Sequence, residues 1–166
     1  IHHISNHNNS GTSPAFAIDT NFDVKNTETC IYTAAGVPYT LTDNTSCNTG
    51  TVTTITAAKW GGFAIDATGT GTLTPVWANG EALHAYASEA AVIAVIKALS
   101  PTTDKARLGY VTILAGAATW TAGTDALTTG TGGTVATTTN YYNHFPLVAM
   151  VQAALTASTA LTLDKA

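Results

Sequence analysis

From residue 50 to residue 77 the chain reads GTVTTITAAKWGGFAIDATGTGTLTPVW, with apolar-alternating runs near 51–56, 59–66 and 72–77 and glycine-bearing turns between them. A period of two puts successive side chains on opposite faces of a pleated strand. The stretch therefore reads as a β-meander. Residues 29–42, TCIYTAAGVPYTLT, form the clearest hairpin signal: Val37, Tyr39 and Leu41 alternate with small or polar residues, and Ala34, Ala35 and Gly36 supply the turn. Pro38 marks the second strand of that hairpin as an edge strand or a strand beginning, because proline has no amide to give a central ladder.

The polar faces of these strands are threonine rather than charge. Roughly a fifth of the 166 residues are Thr and only 10% are charged. A β-branched hydroxyl residue fits a pleated surface with its oxygen towards water. At residue 88 the period changes. SEAAVIAVIKALSP has an N-cap in Ser88, an acid in the first turn in Glu89, helix formers through Leu99 and a stop at Pro101. This helix is apolar on most sides, so the expectation is that it lies between the sheet and a second layer. After it, RLGYVTILAG reads as a strand, ATWTAGTDAL as its hairpin partner or continuation, and GTGGTVATTTNYYNHF as a glycine loop feeding a last strand. The fold class is mainly β, antiparallel hairpins and a meander forming a sandwich or barrel-like domain with one Ala-rich helix and a C-terminal helix. The expected organisation is an N-terminal arm at 1–14, a β-rich domain at 15–145 and a C-terminal helical segment or tail at 146–166.

Several function classes lose support on charge and motif grounds. The net charge is −4 with six Lys and Arg, scattered singly except at Lys105 and Arg107, so nucleic acid is not an expected partner. The most apolar stretch, PLVAMVQAALTAS, is too short and too polar to span a bilayer, which takes about 20 apolar residues. The chain begins at Ile1 rather than Met, which reads as processing or truncation, and its first residues lack a signal-peptide layout. There is no GxSxG, HExxH or CxxC, and the glycine runs at 69–74 and 130–135 lack the GK[ST] ending of a phosphate loop, so they read as turns. Asp19 and Asp23 fall in a loop and Asp66 stands alone in sequence, leaving no obvious acid and base pair. The expectation is a protein without a catalytic site and without cofactors.

His2, His3 and His7 are the best metal candidates by residue type, but no Cys, Asp or Glu lies near them in sequence, so no metal site is expected. His84 and His144 sit beside aromatic or apolar residues and read as packed histidines. Asn8 and Asn44 are formal glycosylation acceptors. Cys30 and Cys47 permit one intrachain bridge, which would stabilise by about 3 kcal/mol, or stay as two buried thiols; the residues leave both open. Trp77, Tyr110, Trp120, Tyr141 and Tyr142, with Leu147 and Met150, are interface candidates, the aromatics being equally suited to an intrachain core. Pro101, Asp104, Lys105, Arg107 and Gly109 concentrate charge and turn residues between helix and strand. They read as a structural joint whose charges pair locally or reach the carbonyls at the helix end, contributing about 0 to 1 kcal/mol if exposed.

From about residue 27 to 145 the order of features resembles a module that recurs in tailed-bacteriophage virion proteins, namely head fibres, capsid decoration proteins and tail-fibre segments. The matching text is CIYTAAGVPYTL, GFAIDATGTGTLT, AAVIAVIKAL, SPTTDKARLGYVTI, TWTAGTDAL and ATTTNYYN, with DKARLGYVTI and TWTAGTDAL the most specific pieces. The resemblance implies a non-enzymatic virion structural protein, a homotrimer exposed on the particle surface, whose partners are the major capsid or another virion protein and host-surface carbohydrate. No catalytic residue is carried over, and the arm and the tail after Pro146 fall outside the match. Two rivals stay open: a secreted microbial adhesin or filament subunit, marked by a donated N-terminal strand, and a polysaccharide-degrading domain, marked by two carboxylates converging in a groove.

Overall fold

The structure is a computed structural model that describes residues 7–8, 16–19, 23–50, 53–79, 84–102, 104–129 and 135–143. In chain order its strands are β1 (His7–Asn8), β2 (Phe16–Ile18), β3 (Val24–Asn26), β4 (Cys30–Ala34), β5 (Val37–Leu41), β6 (Ser46–Cys47), β7 (Thr54–Ile55), β8 (Trp60–Thr68) and β9 (Leu73–Trp77). Helix α1 (Glu89–Ala98) follows, and then β10 (Lys105–Ala115), β11 (Trp120–Thr121) and β12 (Ala136–Asn143). The fold is mainly β, with antiparallel sheets and a single helix among the described residues. The C-terminal segment at 146–166, with Leu147 and Met150, lies outside the described residues, as do His2 and His3.

The principal sheet has the order β12-β10-β8-β9, flanked by smaller sheets ordered β1-β4-β5, β2-β3-β6 and β11-β7. Its two central strands are buried on both faces. Phe63, Ile65 and Ala67 of β8 and Leu108, Val111 and Ile113 of β10 enter the main core with Val24, Tyr32, Leu41, Ile55 and Trp120. On the opposite face Ala64 and Tyr110 pack against Val92 and Ile96 of α1. Gly62 lets the helix come this close: a Cβ there would lie 2.5 Å from the Val111 carbonyl oxygen and 2.9 Å from Val92 Cγ1.

The β4–β5 hairpin closes through Ala35 and Gly36, both at positive φ (51° and 80°), as a two-residue turn matched to strand twist requires. Pro38 lies in β5, which is an edge strand. Part of the N-terminal arm joins this sheet, since His7 and Asn8 pair with Ile31 and Cys30. Helix α1 begins where expected, with Ser88 accepting a hydrogen bond from the Ala91 amide at 3.3 Å.

Three expectations are corrected. The meander holds for β8 and β9, but β7 pairs with β11 rather than with β8. For the same reason ATWTAGTDAL is not the hairpin partner of β10, whose neighbours are β8 and β12. Alternation reports that a segment is a strand, and nothing in it chooses the partner. Finally, α1 fully buries only Val92 and Ile96, and Ala90, Ala94, Lys97 and Ala98 are exposed, so among the described residues it covers one face of the sheet instead of lying between two layers. Its exposed positions are mostly alanine, which makes a helix look apolar all round without demanding burial.

Candidate functional site

Two polar clusters hold the ends of α1, and the residues expected to form a joint belong to the one at its C-terminal end. At its C-terminal end the chain leaves the helix at Leu99 with extended geometry, passes Pro101 and enters β10 at Lys105. Register places Arg107 opposite Asp66 on β8, 41 residues away in sequence. Arg107 Nε donates to Asp66 Oδ1 and Nη2 to Oδ2 at 3.3 Å, while Nη1 donates to the carbonyls of Ile96 at 3.2 Å and Leu99 at 2.9 Å. One guanidinium thus pairs with a carboxylate and caps the helix, the use its planar fork is suited to. Arg107 reaches the carbonyls at the helix end, one of the two roles expected of the joint charges, while its ion-pair partner is the distant Asp66 and the pair is buried, with Arg107 4% exposed and Asp66 1%. The other joint charges stay at the surface: Asp104 Oδ1 accepts from Thr102 Oγ1 at 2.6 Å, which holds its carboxyl below the usual range, and Lys105 Nζ reaches Thr74 Oγ1 at 3.5 Å.

A β-bulge completes the joint. Between Arg107 and Gly109 the β8–β10 register shifts, leaving Leu108 as an extra residue on β10. Leu108 is fully buried in the main core, and a Cβ on Gly109 would strike the Tyr142 carbonyl and the Phe16 ring. Only glycine fits there, because β12 and β2 close on it from both sides.

At the other end of α1, Glu89 Oε1 accepts three hydrogen bonds, from Thr112 Oγ1 at 2.6 Å, Tyr142 Oη at 2.7 Å and Asn140 Nδ2 at 2.8 Å. Thr112 is on β10, and Asn140 and Tyr142 are on β12, two apart and therefore on one face. Partial burial pushes the Glu89 carboxyl up, but these donors outweigh it and hold it below the usual value. The Tyr142 phenol is pushed up to about 12, by burial first and by its bond to Glu89 second. Tyr142 stacks on Tyr110 with ring centroids 4.8 Å apart. Near neutral pH the carboxylate is ionised and the phenol protonated, so the proton between them does not move. The cluster therefore acts as a clasp on the helix start.

The remaining interface candidates fall elsewhere. Trp120 is fully buried, its Nε1 donating to the Ala126 carbonyl at 3.2 Å, and it belongs to the intrachain core. Trp77 packs between Phe63, His84 and Trp120 and donates to the Thr49 carbonyl at 3.2 Å. Tyr141 packs against the main core, and its buried hydroxyl has no hydrogen-bond partner among the described residues. His84 rests on Trp77, and burial holds its pKa below the usual imidazole value.

Cys30 and Cys47 are free thiols, so the bridge left open by the sequence is not formed. Cys30 faces Leu41 and Asn8 in one sheet and Cys47 faces Val24 in another. Burial raises their pKa values to about 11 and about 12, with neighbouring acids adding to it, so both behave as small core hydrophobes. Among the described residues no group of three His, Cys, Asp or Glu side chains is placed to hold a metal. His7 pairs with Ile31 through the backbone of β1.

Sequence reading missed Asp66 as a partner of Arg107 and the set Glu89, Thr112, Asn140 and Tyr142. The signal for the second was the spacing of Asn140 and Tyr142, two apart and therefore on one face of a strand. Comparison with protein-family models, with curated proteins and with solved structures found no match to this chain. No described helix is long and apolar enough to cross a membrane.

Proposed function

We propose that the chain is a non-enzymatic structural subunit of a tailed-bacteriophage virion, a capsid decoration or head-fibre protein displayed on the particle surface as a homo-oligomer. The observation that carries this reading is how the carboxylates at the two ends of α1 are used. Asp66 is neutralised by Arg107 and Glu89 is filled by three donors, and each ties α1 to the principal sheet. Placement on a phage particle draws its support from the resemblance of CIYTAAGVPYTL, DKARLGYVTI and TWTAGTDAL to that virion module. The second of these stretches contains the Arg107 joint, a feature whose role is to hold geometry.

The rival filament reading calls for an N-terminal strand donated to a neighbour, whereas β1 pairs with β4 of its own chain. That favours a self-contained subunit that attaches through other surfaces. Immunogold electron microscopy of particles from the phage that encodes the chain tests the proposal. Label on the capsid is the expected result; label on the tail moves the subunit to the tail fibre, and particles that carry none of the chain overturn the virion reading.

A further inference from the structure

We infer that the outer edge of β12 is the surface through which the chain pairs with a second copy of itself, the two β12 strands running antiparallel about a twofold axis at Asn140. This deepens the reading of the chain as an assembly subunit and rests on it. In the order β12-β10-β8-β9 the strand β12 is hydrogen-bonded on one side only, and no described strand pairs with its other side. Such an edge presents a row of backbone donors and acceptors that must find water or another strand.

The three longer edge strands among the described residues differ in how they are protected. β5 carries Pro38 and β9 carries Pro75, each removing a donor and blunting the edge. β12 reads ATTTNYYN, eight residues without proline, glycine or charge and rich in residues that favour strands. Its register with β10 shifts once, at its N-terminal end where Thr137 is the extra residue, and from Thr138 to Asn143 the strand pairs regularly and carries no proline or charge to blunt the edge.

The character of β12 also selects its occupant. The other long strands carry charge, Asp66 on β8 and Lys105 and Arg107 on β10, and both are already paired on two sides. An uncharged strand of equal length with free backbone groups is what another β12 offers. Centred on Asn140, antiparallel pairing sets Tyr141 opposite the partner's Thr139 and Tyr142 opposite the partner's Thr138. Aromatic and β-branched residues facing each other are favourable cross-strand pairs, and no like charges meet.

Light scattering and native mass measurement of the full chain, with hydrogen exchange of residues 136–143 at low and high protein concentration, test this. The expected results are an even-numbered oligomer and β12 amides whose protection rises with concentration. Asn140→Lys sets two cations opposite each other across the pair while keeping a donor beside Glu89 within the chain. It should raise the dissociation constant at least tenfold, an effect that added salt reduces. A wild-type monomer, or β12 exchange independent of concentration, overturns the proposal. So does a trimer whose size Asn140→Lys leaves unchanged, although that result keeps the assembly reading intact. Absence from particles would sink the virion reading while leaving the pairing to stand or fall on its own. The exchange measurement needs no substitution, so it decides the matter even where Asn140→Lys melts early.

Discussion

Replacing Arg107 by alanine is the sharpest test of the helix-to-strand joint. The side chain makes two bonds to Asp66 and one each to the carbonyls of Ile96 and Leu99, and it is 4% exposed. Its removal leaves an ionised carboxylate buried without a counter-charge, a loss worth about 3 to 5 kcal/mol. The helix carbonyls add less, because Ile96 still accepts from the Leu99 amide at 3.1 Å and the Leu99 carbonyl can reach water. The expected total is about 4 kcal/mol, or a melting temperature roughly 10 °C lower for a chain of this size. An exposed pair would cost about 0 to 1 kcal/mol. Urea denaturation followed by circular dichroism separates the two cases, provided the slope with denaturant stays constant. The double change Asp66→Ala with Arg107→Ala should cost less than the two single changes added together, since it leaves no lone charge. A loss below 1 kcal/mol for Arg107→Ala, or strict additivity in the cycle, would refute the argument that the buried charge dominates.

Gly62→Ala should destabilise by about 1 to 3 kcal/mol, because the added methyl crowds Val92 and the Val111 carbonyl; amide exchange should show α1 loosening before the sheet. Glu89 has a folded pKa below its unfolded value, so its contribution is full above the ordinary carboxylate range and is lost as pH falls through the folded value. Glu89→Gln should therefore flatten the acid limb of the stability profile, and an unchanged limb in thermal melts across pH 2 to 6 would contradict this. The thiols, at about 11 and about 12, should resist a disulfide exchange reagent at pH 8 until denaturant is added, and rapid labelling of the native chain would show that the core opens there.

Elements defined by near neighbours were legible in the sequence. Ser88, Glu89 and Pro101 mark α1 within a residue of its ends, and Ala35 and Gly36 mark the β4–β5 turn. The nature of Arg107 as a joint residue was legible too, but its partner was not, since Asp66 is brought to it only by the β8–β10 register and the bulge at Leu108. The partner of β7 was hidden for the same reason, as two-residue strands carry no pattern that selects β11. Burial of α1 was overestimated because alanine is counted as apolar yet tolerates water. Clustering around Glu89 needed three elements in place at once, and only the same-face spacing of Asn140 with Tyr142 hinted at it.

The central pairing of β8 with β10 also sets the order of events during synthesis. Phe63 and Ile65 emerge on β8 well before β10, with β9 and α1 in between. A hairpin with β9 and the first turns of the helix can form early, but the strand that covers the inner edge of β8 arrives only after both. Pairing over such separations slows folding, and until it happens the half-made sheet exposes apolar strands that can capture other chains. Because Arg107 joins only at that late step, its loss should quicken unfolding more than it slows folding. A chain paused between α1 and β10 would be the stage most in need of a chaperone.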